Sequence, residues 1–197
     1  FRPNFWPNTP DILHAYLQTG GRPAFMARLV LAATLSSSYG IYGPAFELME
    51  NVPREPGSEE YLNSEKYEIK RWDTGRKDSL QDFVARVNLI RRENPALQSN
   101  RNLWFNATDN EHLICYSKHT GDLSCIILVV VNLNPHNTSA GMVNVPMAAW
   151  GLDMRQPCEA HELLSDTRYT WHDEWNYVRL DPAVCQAHIF RITQTLK

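Results

Sequence analysis

From Leu103 to Ile192 the sequence falls into seven or eight short runs of aliphatic, β-branched and aromatic residues set apart by turn-forming clusters, and this constrains the fold more than any other feature. The runs are Leu103–Phe105, His112–Tyr116, Leu123–Leu133, Gly141–Val145, Ala160–Leu164, Arg168–Trp171, Tyr177–Leu180 and Ala187–Ile192. Asp109-Asn110, Thr120-Gly-Asp122 and Asn134-Pro-His-Asn137 supply turn chemistry between them. Strands this short and this closely spaced predict an antiparallel sandwich. The texture changes near Asn94-Pro95. Before that point it is helical and rich in loops.

Two helices and one strand stand out in the first part. Pro23 to Ser36 starts with proline at a position suited to a first helical turn and is apolar nearly all round, which predicts a helix buried between layers. Tyr39-Gly-Ile-Tyr42 is short and aromatic, and reads as a buried strand ended by Gly43-Pro44. Leu80, Phe83, Val84, Val87 and Ile90 recur at helical spacing, so residues 79–93 form a second helix, with Ser79 and Asp82 as a capping box and Arg91 and Arg92 at its negative end. Between strand and second helix, Gly43 to Lys77 is a loop of unusual length, carrying Glu59, Glu60, Glu65, Lys66, Tyr67 and Trp72; a loop that long in a compact fold is usually functional or disordered.

Composition excludes several classes. Hydrophobic residues are 43% and charged residues 21% of 197, a globular balance. A net charge of −3 without any long basic run disfavours nucleic acid and anionic membranes as partners. The longest apolar run, Cys125–Val131, is far shorter than the roughly 20 residues that cross a bilayer as a helix. Phe1–Pro7 has no apolar core of a signal peptide, and a chain opening on Phe1 rather than Met reads as a processed product or a piece of something longer. Cys115, Cys125, Cys158 and Cys185 are too sparse for a disulfide scaffold and read as buried free thiols. His112 with Cys115, and Cys158 with His161, are spaced by three along strands, which puts the members of each pair on opposite faces, so no metal site is expected.

The usual catalytic motifs are absent: there is no Gly-x-Ser-x-Gly, no phosphate-cradling glycine loop and no His-Glu-x-x-His. Asn8-Thr-Pro-Asp11 follows Phe5 and Trp6. Asp11 reads either as a carboxylate at the rim of a sugar pocket or as the N-cap of a short helix, Ile12 to Thr19. Lys66-Tyr67 reads either as a hydrogen-bonding and stacking pair for a sugar or as a solvated loop edge. Of the six tryptophans, Trp104, Trp150, Trp171 and Trp175 fall in the β region and are expected in the core.

Several phrases together resemble a known family. Phe1-Arg-Pro-Asn-Phe-Trp-Pro-Asn-Thr-Pro-Asp-Ile-Leu13, Tyr39-Gly-Ile-Tyr-Gly-Pro-Ala-Phe-Glu-Leu48, Glu50-Asn-Val-Pro53, Gly57-Ser-Glu-Glu-Tyr-Leu-Asn-Ser-Glu-Lys-Tyr67 and Arg91-Arg-Glu-Asn-Pro-Ala-Leu97 look like the C-terminal third of the bacterial alpha-1,4-glucan:maltose-1-phosphate maltosyltransferases, of the α-amylase superfamily. The resemblance implies an α/β region plus an all-β region. Residues 1–97 would be the end of a catalytic (β/α)8 TIM barrel, from after strand 7 through helix 8, and residues 98–197 a C-terminal antiparallel β-sandwich. Helix 23–36 and strand 39–42 would then expose apolar surface that the rest of a barrel covers.

It further implies a retaining transfer of maltosyl units from maltose 1-phosphate to the non-reducing ends of α-1,4-glucan, releasing phosphate. By motif position Asp11 would be the transition-state stabiliser, and Lys66 and Tyr67 would bind the maltosyl group. The nucleophile and the acid/base of the family lie before the position of Phe1, so the chain alone is expected to be inactive. Neither metal nor organic cofactor is implied. The expected location is the cytoplasm, and because the family is often dimeric a homodimer is open. Two other readings stay open: an α-glucan hydrolase or trehalose-forming relative, and a non-catalytic carbohydrate-binding or structural sandwich made by the part beginning near Asn102.

Overall fold

The structure is a computed structural model and describes residues 3–194. It opens with a parallel crossover. Strand β1 (Asn4–Phe5) is followed by helix α1 (Ala15–Thr19), helix α2 (Gly21–Leu35) and strand β2 (Ser38–Tyr39), and β2 lies parallel to β1. Helix α3 (Gly43–Glu47) comes next. A long segment of turns leads to helix α4 (Gln81–Glu93) and a 3-10 turn at Pro95–Gln98.

Eight strands follow: β3 (Leu103–Asn106), β4 (Leu113–His119), β5 (Ile126–Asn132), β6 (Ser139–Asn144), β7 (Cys158–Glu162), β8 (Thr167–Trp171), β9 (Trp175–Leu180) and β10 (Ala187–Thr193). Six form one antiparallel sheet in the order β3-β4-β5-β10-β7-β8, and β6 pairs with β9 in a second. Each of the eight strands expected from Leu103 onward is present within a few residues.

The two faces of the large sheet explain its sequence. Alternate residues point to opposite sides. Tyr116, Ile127, Val129, Val131 and Ile189 pack on α2 and α4, while Cys115, Leu128, Val130, Phe190 and Ile192 pack on Val143, Val178 and Leu180 of the smaller sheet. Strand β5 is therefore buried on both sides, which is why its run from Ile126 to Val131 is apolar without alternation.

Helix α2 has the large neighbour its breadth predicted. Ala24, Phe25, Ala27, Leu29, Val30 and Ala33 are fully buried, and Met26, Leu31 and Leu35 half-buried. The sheet and α4 cover most of this helix, and the apolar surface left partly open is at Leu31 and Leu35, beside the exposed Phe5 and Trp6. Thr34 Oγ1 donates to Val30 O at 2.7 Å and lies 2.5 Å from the Tyr116 hydroxyl, so Tyr116 donates to Thr34 across the helix–sheet seam. Two cations close the C-terminus of α2. Arg91 donates to the carbonyls of Ala33, Ser36 and Ser37, and Lys118 Nζ reaches Leu35 O at 3.4 Å, an arrangement that the negative end of a helix favours.

Several local expectations are corrected. The strand expected at 39–42 is only Ser38–Tyr39, and its residues are not fully buried, because β1 gives it a partner of just two residues. The Ser79–Asp82 capping box does not form: Leu80 is the N-cap of α4, its backbone N–H donates to Glu47 O, and Ser79 Oγ accepts only a long bond from Gln81 N at 3.4 Å. Cys115, Cys125 and Cys158 are buried free thiols, whereas Cys185 is partly exposed. Trp150 and Trp171 are core residues, but Trp104 and Trp175 are exposed, because β3 is an edge strand and Trp175 begins a strand of the two-stranded sheet.

Candidate functional site

The segments after β1 and β2 leave from the same side of the molecule, because the two strands are parallel and each segment starts at a strand's C-terminal end. Gly40 allows the first of them to settle. A Cβ built there would stand 2.5 Å from Cη2 of Trp6, so only glycine leaves room for the indole on the end of β2.

Asn8 fixes the two segments to each other. It is buried, accepts from Tyr42 N at 2.9 Å through Oδ1, and donates from Nδ2 to the Tyr61 hydroxyl at 2.9 Å. The turn that follows, closed by Thr9 and Ile12 bonding each other's backbone at 3.2 Å, holds Asp11 outward. Asp11 is not a helix cap. Helix α1 starts later, at Ala15, and its cap is His14, whose Nδ1 accepts from Tyr16 N at 3.1 Å.

Asp11 instead meets the long loop: Lys66 Nζ stands 3.4 Å from Asp11 Oδ1 and 3.8 Å from Glu60 Oε1. The Asp11 carboxylate pushes the Lys66 ammonium above its ordinary pKa. Glu60 accepts from Arg54 at 2.9 Å, a bond that pulls its carboxyl below the usual range. Above this charged row lies the Tyr67 ring, 64% exposed, with Lys66 Nζ 5.4 Å and the Arg54 guanidinium 5.9 Å from its centroid. So the structure brings Asp11, Lys66 and Tyr67 together on one rim, and the loop edge is solvated yet specifically paired.

Behind the rim is a hydrogen-bonded support that the sequence did not single out. Glu65 accepts from the Tyr42 hydroxyl and from Trp72 Nε1, the latter at 3.0 Å. Burial, then the Glu65 carboxylate, pushes the Tyr42 phenol above its usual range; the Tyr42 bond, then the Trp72 bond, holds Glu65 below its own. Lys70 lies 4.8 Å over the Trp72 ring and 3.8 Å from Glu50. The loop is thus braced from both ends by residues whose spacing in sequence carries no motif. Their only signal was the density of aromatic and charged residues in one long loop.

The rim combines a free carboxylate edge, an ammonium, a guanidinium and an exposed phenol face. Such a set can take sugar hydroxyls by hydrogen bonding and a ring face by stacking. Among the described residues no group of three or more His, Cys, Asp and Glu is placed to hold a metal ion, and no helix is long and apolar enough to cross a membrane.

The fold resembles part of two solved α-amylases. The chain overlays its whole length on 39% of an Anoxybacillus α-amylase with a TM-score of 0.62 at 13% identity, and 99% of its length on 40% of the Geobacillus thermoleovorans α-amylase crystallised with acarbose, with a TM-score of 0.60 at 14% identity. A family model described as "GLGE, C-terminal" matches residues 105–192. The chain is related to the alpha-1,4-glucan:maltose-1-phosphate maltosyltransferases: it is 52% identical to the Methylacidiphilum infernorum protein of that name over 194 residues and 53% identical to the Rhodospirillum rubrum one over 192, in each case across 98% of its own length. The family resemblance expected from the sequence over essentially the whole chain, as far as Ala187–Ile192, is found across 98% of it. The chain spans 29% and 28% of those two relatives.

Proposed function

We propose that this chain is part of a retaining glycosyltransferase that moves maltosyl units from maltose 1-phosphate to the non-reducing ends of α-1,4-glucans and releases phosphate. Residues 1–97 act as the end of the catalytic (β/α)8 barrel, and residues 98–197 as the sandwich that braces it. The parallel β1–α2–β2 crossover supports the barrel reading, since a repeated strand–helix unit of this kind is what such barrels are made from, with the site at the C-terminal ends of the strands.

The observation that carries the proposal is the 3.4 Å approach of Lys66 to Asp11 on the side where both parallel strands end. In a retaining mechanism one carboxylate forms a covalent glycosyl-enzyme, and a second protonates the departing group and later activates the acceptor hydroxyl. Those two groups would come from the remainder of the full-length protein, and this chain alone would catalyse no transfer. Asp11 is the third carboxylate. It binds hydroxyls of the distorted sugar and stabilises the positive charge that develops at the transition state. Lys66 holds the Asp11 carboxylate and donates to the maltosyl unit, while Tyr67 offers its face. The reaction runs in the cytoplasm.

Phosphate release by the full-length protein, measured with maltose 1-phosphate and glycogen, tests this reading. Release that requires maltose 1-phosphate and lengthens the glucan supports it. Reducing sugar or trehalose formed from glucan alone would assign the site to a hydrolase or a trehalose-forming relative.

A further inference from the structure

Lys66 stands between two carboxylates that differ in how they are held. Its Nζ is 3.4 Å from Asp11 Oδ1 and 3.8 Å from Glu60 Oε1, but the Asp11 side chain is 63% exposed and the Glu60 side chain 20%. Among the described residues Lys66 is the only cation paired with Asp11, whereas Glu60 also accepts from Arg54 at 2.9 Å. Asp11 is thus the open end of the row and Glu60 its fixed end.

Backbone bonds set the place of Glu60. Residues 52–62 fold back on themselves: Pro53 and Tyr61 bridge in the antiparallel sense, Arg54 N donates to Glu60 O at 2.7 Å, and Leu62 N donates to Val52 O at 2.9 Å. Gly57, with φ +83°, takes the left-handed conformation that the turn between them requires. Both neighbours of Glu60 are tied to the segment after β1, since Glu59 O accepts from Leu13 N at 2.6 Å and the Tyr61 hydroxyl accepts from Asn8 at 2.9 Å. Asp11 lies between Asn8 and Leu13, so these two anchors fix the separation of the two carboxylates. Lys66 comes from a different turn, in which Tyr67 N donates to Ser64 O at 2.9 Å and Lys66 N to Ser64 Oγ at 3.2 Å.

A sugar hydroxyl that donates to Asp11 competes with the Lys66 ammonium for the same oxygens. With Asp11 as its sole partner, Lys66 would either block that carboxylate or regain the rotamer freedom of a long side chain in water. Glu60 offers a counter-charge set back from the rim, which the sugar does not displace. We propose that Glu60 is a positioning residue that holds Lys66 at the rim while the sugar occupies Asp11. This rests on the function proposed above, and Glu60 itself touches no reacting atom.

The test is a double-mutant cycle in the full-length protein, read as phosphate released from maltose 1-phosphate with glycogen as acceptor. Glu60→Gln keeps the shape and removes the charge. It should raise KM for maltose 1-phosphate roughly fivefold with a smaller change in kcat and the melting temperature of the wild type, and Glu60→Asp, which keeps the charge on a shorter stem, should recover part of the loss. In a Lys66→Ala background Glu60→Gln should change KM less than twofold, because a residue that acts through Lys66 has nothing left to position. Equal losses in both backgrounds would overturn the proposal, as would a lowered melting temperature with KM and kcat of the folded protein unchanged, which would make Glu60 a brace of the 52–62 turn. A wild-type KM in Glu60→Gln beside a raised KM in Lys66→Ala would overturn the role of Glu60 and leave the proposed function standing. A wild-type protein that releases no phosphate from maltose 1-phosphate would overturn both.

Discussion

Lys66 Nζ and Asp11 Oδ1 stand 3.4 Å apart, with the side chains 51% and 63% exposed, joining the ends of two segments that leave parallel strands. An ion pair this exposed adds little to folding. Its consequence is positional: it holds a carboxylate and an ammonium where a polar ligand can exchange for either one.

Lys66→Ala in the full-length enzyme should therefore act on substrate binding. We expect KM for maltose 1-phosphate to rise roughly tenfold, with a smaller change in kcat and a melting temperature within a degree or two of wild type. Steady-state kinetics beside a thermal melt separates these effects. A large fall in stability would mean that Lys66 is structural.

Asn8→Ala should do the reverse of Lys66→Ala and cost stability first. It removes the buried bond to the Tyr61 hydroxyl and the part-buried bond from Tyr42 N, which is left without its acceptor, a loss of about 2–3 kcal/mol. Urea denaturation reads the loss. Because Asn8 also anchors the turn that presents Asp11, activity should fall even under conditions where the variant is fully folded.

Glu162 sets an acid limit on stability. Burial pushes its carboxyl up, but the His188 ring 3.9 Å away, the Ser165 hydroxyl at 2.7 Å and the backbone N–H groups of Ile189 and Ser165 outweigh that and hold it at about 2. A depressed folded value stabilises above the unfolded carboxylate range, and that stability is lost as pH falls from about 4.5 toward 2. Its full extent is roughly 3 kcal/mol. Chemical denaturation at stepped pH should show this slope in the wild type and a flatter one in Glu162→Gln.

Lys118 works in the opposite direction. Burial, then the nearby Arg91 guanidinium, brings its ammonium down to about 8. At pH 7 the folded state carries a charge it disfavours, so stability should climb as pH rises from about 8 to 10.5, where the unfolded side chain also becomes neutral. Lys118→Met should raise stability at pH 7 by about 1–2 kcal/mol, after ~1 kcal/mol is lost with the Leu35 bond, and should abolish the alkaline climb.

These residues also show how far the sequence could be read. The eight strands were legible because turn chemistry brackets each run, α2 because proline opens a long run that is apolar nearly all round, and α4 because its apolar spacing is helical. Capping was not: Ser79 and Asp82 fit a capping box, yet Leu80 bonds to Glu47, a tertiary contact that no local pattern encodes. Trp104 was misplaced for a related reason, since only the strand order makes β3 an edge. At the rim, Asp11, Lys66 and Tyr67 were found through the resemblance of whole phrases. Residue physics alone left Asp11 between a rim carboxylate and a helix cap, and what removes the cap reading is His14 taking the cap itself. Glu65, Tyr42 and Tyr61 gave no sign of their bracing role, because their partners lie in segments that meet only in three dimensions.

Asp11→Asn in the full-length protein, followed by phosphate released from maltose 1-phosphate with glycogen as acceptor, tests whether Asp11 is the third carboxylate. Asparagine keeps the shape and removes the charge. We expect a fall in kcat of roughly 100-fold or more with the melting temperature unchanged. A variant that turns over near the wild-type rate would contradict it and remove Asp11 from the site.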